Sequence, residues 1–383
     1  MLRPLAACLF LIGLSACNVD PTGDRAANGA QTAPADTLSD EDMLLSHDPT
    51  PGGAVDAAQG DDQPRPVMQL QIVLDRLGFT PGVIDGKEGL STRNAVLGFQ
   101  EANGLPVTGG FDDQTKAALA KWSNIPATRI VTIPQGFAAG PFAKLPDQPA
   151  DQAALPGLGY ESLDEKLAER FHTTVETLYQ LNGTPPPTPA PTSSAAPGSQ
   201  AFQTTFRGGQ RIRVPNVGVD RIEKGAVTDP AWAKTLATLG VGTAQPKVAR
   251  IVVSKSKGTL KGFDEAGKLV AMFTATMGSQ HDPLPLGNWK VLGVARNPPF
   301  HYNPKLFWDA SPGDSKALLP PGPNGPVGVA WIDLNKPHYG IHGTPAPETI
   351  GRAESHGCVR LTNWDVARLA QMVGPGTKVL FEG

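Results

Sequence analysis

The chain has only three cysteines, and their placement rules out a disulfide framework. Cys8 lies inside an apolar N-terminal run and Cys17 ends that run, so a chain cut before Cys17 and modified there keeps Cys358 as its single thiol. Exported proteins pair their cysteines or dispense with them. A lone thiol within Ser355-His356-Gly357-Cys358-Val359-Arg360 therefore reads as one kept for reactivity rather than for packing. Charge of one sign is also missing. With 33 basic and 36 acidic residues the formal net charge is -3, which excludes a nucleic-acid binder held by phosphate electrostatics. Charged residues make up 18% and aromatics 6%, whereas Gly (43) and Pro (38) are abundant, a balance that favours turns, linkers and short strands. The apolar run from Leu5 to Leu14 is far too short to span a bilayer and fits the core of an export signal.

Leu14-Ser15-Ala16-Cys17 resembles the lipobox of bacterial lipoproteins. That resemblance implies a signal peptide over 1–16, lipidation of Cys17, and a periplasm-facing place in the cell envelope. Asn18, where Asp would favour the inner membrane, resembles outer-membrane sorting. Two or three acyl chains anchor stably, since each buried methylene contributes ~0.8 kcal/mol. An ordinary export signal cut at a similar place is the plainer alternative. Residues 17–65 are rich in Ala, Asp, Gly, Pro and Thr without apolar periodicity, and read as a lipidated, disordered tether with a root-mean-square span of about 40 Å.

Residues 66–121 carry two helical patterns. Leu70, Val73, Leu74 and Leu77 recur at helical spacing up to Gly78, and a second helix from about Thr92 buries Ala95, Val96 and Phe99. With Phe99-Gln100, Gly104 to Gly109 and Asp112 to Thr115, this stretch resembles the small three-helix peptidoglycan-binding domain. The expectation is a module that raises local substrate concentration and can be removed without harm to the chemistry. Residues 157–217 show two short helices meeting at His172-Thr173 and a strand over Gly209 to Pro215. They resemble a LysM module of βααβ type, interrupted by Pro-rich 183–200.

From 247 to 383 the pattern changes to strands: Val248, Ile251 and Val253, a hairpin turn centred on Asp264 to Lys268, Val270 to Met277, Trp289 to Leu292 and Thr377 to Phe381. Thr362 and Asp365 form a capping box for one late helix burying Val366, Leu369, Ala370 and Val373. The expected architecture is multidomain α+β: a three-helix module, a small βααβ module, and a mainly β, sandwich-like domain.

A cysteine nucleophile needs a nearby base and a group to orient that base. His338, His342 and His356 are all candidates, and the residues alone favour His342 only modestly. His342-Gly343-Thr344 followed by Ser355 to Leu361 and Asn363 resembles the signature of the L,D-transpeptidase (YkuD-type) catalytic domain. The resemblance implies Cys358 as nucleophile, His342 as base, and the Gly343 carbonyl as the group orienting the imidazole. It further implies an oxyanion hole from the N–H groups of His356, Gly357 and Cys358. Tyr339, Ser355, Arg360 and Asn363 would surround the substrate, Ser355 and Asn363 mainly by holding the loop, and Pro-rich 297–327 would form a loop over the cleft. An imidazolium at His342 would lower the thiol pKa of Cys358. The implied reaction acylates Cys358 at diaminopimelate of a stem tetrapeptide and passes the acyl group to an amine, giving a 3→3 cross-link without metal or cofactor. The partners would be peptidoglycan, the outer membrane through the lipid anchor, and a lipoprotein lysine as one acceptor. Alternatives are a carboxypeptidase or hydrolase using the same acyl-enzyme, and a non-enzymatic tether between outer membrane and wall.

Overall fold

The computed structural model describes residues 63–184, 204–218 and 221–383, except 309, 312, 354 and 356. The signal, Cys17, His356, nearly all of the tether and most of the Pro-rich stretch lie outside the described residues.

The first module is built as its periodicity requires. Helix α1 (Pro66–Arg76) opens on a proline, whose missing N–H would be unpaired there in any case, and turns out through Gly78 at φ +83°. Strand β1 (Phe79–Thr80) follows, then α2 (Leu90–Ala102) and α3 (Asp113–Leu119). The Asp112 carboxylate caps α3 by accepting from the Thr115 N–H. Leu70, Val73, Leu74, Ala95, Val96, Phe99 and Leu119 form the core between these helices.

The middle module pairs β2 (Thr128–Thr132) antiparallel to β3 (Arg211–Pro215), with α4 (Leu163–Arg170) and α5 (Val175–Asn182) between them in sequence. Two one-turn helices, Gln135–Ala138 and Pro149–Gln152, also lie between β2 and α4, and the first strand lies outside 157–217. The strand Thr128-Arg129-Ile130-Val131-Thr132 comes from a stretch left unassigned by the sequence patterns, because its burial depends on a partner some eighty residues away. Thr174 caps α5 and Gly183 closes it in the left-handed region.

After α6 (Pro230–Leu239) the chain forms β4 (Arg250–Ser254), β5 (Thr259–Phe263), β6 (Leu269–Thr274), β7 (Thr276–Met277) and β8 (Gly287–Arg296). Then come the hairpin β9 (Phe300–Tyr302) and β10 (Ala317–Leu319), followed by β11 (Ala330–Leu334), β12 (Gly340–His342), β13 (Val359–Arg360), helix α7 (Asn363–Met372) and β14 (Lys378–Glu382). Among the described residues ten strands share one sheet in the order β1-β6-β5-β4-β14-β8-β11-β12-β13-β7. Only Ala275 separates β6 from β7, yet the two lie near opposite ends of that order. The sheet must therefore curl back on itself, which gives the sandwich-like core filled by Phe273, Phe381, Trp364, Val366 and Leu369.

The three regions interlock. Strand β1 of the first module extends the sheet, running parallel to β6 with Phe79 opposite Met272. Gly98 allows this approach, since a Cβ there would stand 2.9 Å from the Met272 sulfur. Met68, Ile72 and Ile84 belong to the core of the middle module, together with Leu167, Phe171 and Leu178. Where the regions meet, Asp75 receives two hydrogen bonds from the Arg368 guanidinium at 2.8 and 3.1 Å, and His172 Nδ1 lies 3.4 Å away. The His172 ring stacks on Trp364 at 5.1 Å. Burial alone would raise the Asp75 pKa, but the Arg368 charge and then His172 outweigh it and hold the carboxyl well below the usual range.

Candidate active site

The register of two short strands assembles the site. β12 runs parallel to β13, with Ile341 opposite Val359 and His342 opposite Arg360, and the Leu361 N–H donates to the His342 carbonyl at 2.9 Å. Ile341 and Val359 are both fully buried in the core. Side chains alternate across a strand, so His342 and Arg360 face the other side, and Cys358 lies in the bend that leads into β13.

His342 is buried, and its Nδ1 lies 2.7 Å from the Gly343 carbonyl. A carbonyl can only accept, so the proton sits on Nδ1 and Nε2 keeps its lone pair. The Trp331 indole stacks on the imidazole at 5.4 Å with planes 20° apart. Burial first, then the charge of Arg360, push the His342 pKa down to about 3, against a smaller opposing pull from the Gly343 carbonyl. The imidazole is therefore neutral at neutral pH. That differs from the expected imidazolium beside the thiol, because a ring enclosed by Trp331 and the sheet has too little water to carry a charge.

Glycine is required at 343 by contact. A Cβ there would stand 2.3 Å from Asn363 Oδ1, and one at Gly328, which has φ +60°, would stand 2.0 Å from the same atom.

Cys358 is a half-buried thiol whose Sγ lies 3.6 Å from the His338 backbone carbonyl. Of the three candidate histidines, His338 thus meets the sulfur with its main chain, at φ +69°. Ser355 is buried; its hydroxyl donates to the Cys358 carbonyl at 2.7 Å and accepts from the Gly278 N–H at 2.6 Å, so it fastens the loop. Gly357 has φ +95°, and the Tyr339 ring lies 2.7 Å from where its Cβ would be. Tyr339 itself is half-buried, with its pKa raised by burial, then by Cys358 and Asp282. Arg360 is half-buried on the His342 side of β13, while Asn363 is fully buried behind the Gly343 loop. Tyr339 and Arg360 are therefore at the cleft, and Ser355 and Asn363 belong to its scaffolding.

The stretch 297–327 contributes the β9–β10 hairpin, and Trp308 beyond β9 stacks on His281 at 4.6 Å. His281 sits in the turn closed by the Ser279 N–H on the Asp282 carbonyl, next to Gly278. A cavity of about 1260 Å³ lies elsewhere, between residues 139–147, α6 and Pro321 to Pro323, with Tyr160 and Val329 in its wall. Sequence reading missed Trp331. Its place opposite His342 follows from the antiparallel register of β11 and β12, and an aromatic in a short strand was the available signal.

Residues 248–380 match the family model described as YkuD, the L,D-transpeptidase catalytic domain, and residues 63–119 match the model described as "Putative peptidoglycan binding domain". The chain is 54% identical over 59 residues to "Putative L,D-transpeptidase YkuD" of Bacillus licheniformis, which covers 15% of this chain and 36% of that protein. It is 31% identical over 118 residues to "Putative L,D-transpeptidase YqjB" of Bacillus subtilis, covering 30% of this chain and 60% of that protein. A solved L,D-transpeptidase from Mycobacterium smegmatis aligns with a TM-score of 0.29 at 20% identity, over 35% of this chain and 58% of that one. The chain thus spans about a third of the first relative's length and three fifths of the second's. Residues 248–380 therefore resemble an L,D-transpeptidase catalytic domain, and residues 63–119, before them, resemble a peptidoglycan-binding domain.

Proposed function

We propose that the protein is a peptidoglycan L,D-transpeptidase in which Cys358 attacks, as its thiolate, the carbonyl of diaminopimelate in a stem tetrapeptide. Neutral His342 takes the thiol proton on Nε2 and returns it to the departing D-Ala amine. An amine of a second stem then attacks the thioester, His342 takes its proton, and the sulfur leaves, giving a 3→3 cross-link. The N–H groups of Gly357 and Cys358, with His356, stabilise the oxyanion, a role in which one lost donor costs roughly 3–4 kcal/mol. Arg360 and Tyr339 bind the stem peptide. The single observation carrying this reading is the Nδ1–H bond of His342 to the Gly343 carbonyl on the strand that pairs beside the Cys358 loop. That carbonyl fills the orienting place an Asp takes in serine triads.

The peptidoglycan-binding domain holds the polymer, and the βααβ module is a LysM-like second grip. Cys17 is the lipid anchor of an outer-membrane lipoprotein facing the periplasm, and a lipoprotein lysine is a further acceptor. The test is mass spectrometry of muropeptides after treatment of tetrapeptide-rich wall with purified protein. Wild type should yield 3→3 dimers and Cys358→Ser none. Tripeptides without dimers would mean that water resolves the thioester, and wall binding with no product in either case would leave a tether.

A further inference from the structure

A buried carboxyl from the middle module reaches the loop that carries the orienting carbonyl. Glu169, on α4, is 5% exposed, and both its oxygens are engaged. Oε1 accepts from Asn363 Nδ2 at 2.8 Å and Oε2 accepts from the Tyr160 hydroxyl at 2.8 Å. Asn363 Nδ2 also donates to the Pro323 carbonyl at 3.0 Å, and Asn363 Oδ1 accepts from the Val329 N–H at 3.3 Å. That same Oδ1 is wedged against Gly328 and Gly343, and the Gly343 N–H donates to the Val327 carbonyl at 3.0 Å.

The orientation of the Asn363 amide is thus set from two sides. Flipped by half a turn, it would turn its NH₂ toward the Val329 N–H and its oxygen toward two acceptors. Glu169 is one of those acceptors, and it is supplied from outside the residues that match the catalytic family model. We infer that Glu169 is a positioning residue of the active site: by fixing the Asn363 amide it fixes Gly343, and through the Gly343 carbonyl the Nδ1–H tautomer and aim of His342. The inference rests on the transpeptidase reading for its kinetic consequence but not for its structural one.

The chemistry of the carboxyl suits this task. Burial, together with the nearby Glu165 and Glu348 carboxylates, pushes the Glu169 pKa up to about 8 against the opposing hydrogen bonds of Tyr160 and Asn363. At neutral pH it is an uncharged acid, so no charge is buried. Oε1 accepts from Asn363, and the acid proton on Oε2 is donated to the Tyr160 oxygen, reversing the bond of the ionised form. A glutamine has the same shape and keeps the acceptor toward Asn363, with its NH₂ able to donate to the Tyr160 oxygen. A leucine fills the space and offers neither.

The experiment compares Glu169→Leu and Glu169→Gln with wild type in the full chain. It uses steady-state transfer on soluble tetrapeptide muropeptides and the ¹⁵N shifts of the His342 ring. Glu169→Leu should lower kcat at least tenfold with KM within about twofold, and should shift or broaden the Nδ1–H signal. Glu169→Gln should restore both. Should Glu169→Leu not fold, Tyr160→Phe carries the test, because it removes the hydroxyl holding Oε2 and should perturb the His342 signal in a protein that still folds. Unchanged His342 signals in whichever of these two variants folds would overturn the inference, as would a Glu169→Gln protein as impaired as Glu169→Leu. A wild type that transfers nothing would sink the transpeptidase reading alone, since the ring signals report on the positioning independently.

Discussion

Replacing Asp75 by leucine removes the anion at the meeting point of all three regions. Asp75 lies on α1 of the first module, Arg368 on α7 of the catalytic domain, and His172 at the turn of the middle module. The Arg368 side chain is 6% exposed and Asp75 fully enclosed, so the variant leaves a guanidinium without its two bonds in a site that water barely reaches. Breaking a buried pair from one side costs about 3–5 kcal/mol, whereas replacing both partners with apolar groups of similar volume is near neutral. At about 2–4 °C per kcal/mol in a large domain, Asp75→Leu should melt roughly 10 °C below wild type. Asp75→Leu with Arg368→Leu should regain most of that loss. Urea unfolding followed by tryptophan fluorescence suits the measurement, because Trp364 stacks on His172 at this junction. A single variant within 1 kcal/mol of wild type, or a double variant no better than the single, would refute the reasoning.

Gly343→Ala should lower kcat about a hundredfold with little change in KM, because its methyl would collide with Asn363 Oδ1 and displace the orienting carbonyl; a loss below threefold in steady-state assays would contradict this. Two buried acids, Glu169 and Asp365, have pKa values raised chiefly by burial to about 8 and about 7. A raised acid contributes stability that is complete below its unfolded pKa and is lost as pH climbs through its folded one. The melting temperature should therefore fall between pH 5 and 9, and Glu169→Gln should flatten that slope; an unchanged slope by differential scanning fluorimetry would disprove it. Because His342 is neutral at rest, His342→Ala should leave the pH midpoint of Cys358 alkylation close to wild type. A midpoint moved alkaline by a unit would mean a resting imidazolium after all.

What the sequence made legible was local. The periodicity of Leu70, Val73 and Leu74, the Thr362 cap of the late helix and the hairpin at 264–268 all correspond to formed elements, since each is specified within a few residues. The curled order of the sheet and the pairing of β2 with β3 were hidden, because they depend on partners distant in the chain. So was the role of the first module. Expected to be detachable, it supplies β1 to the sheet edge, Asp75 to Arg368, and helix packing over Leu269 and Met272. Its deletion would strip the catalytic domain of those contacts, so loss of activity on soluble substrates is the outcome to expect. Around the active site, the motif pointed to His342 and Cys358 but not to Trp331 or Glu169, which come from a neighbouring strand and another module.

The parallel splice of β1 onto β6 also has a mechanical consequence. A recognition module on a flexible linker can swivel and sample many points around its grip. Here the main chain of the first module is hydrogen-bonded into the sheet that carries the thiol loop, so the two share one frame. Under the proposed function this makes a fixed-span gauge: with the first module seated on the polymer, the reach of the sulfur is a single vector, and the spacing of the strands decides which stem it can touch.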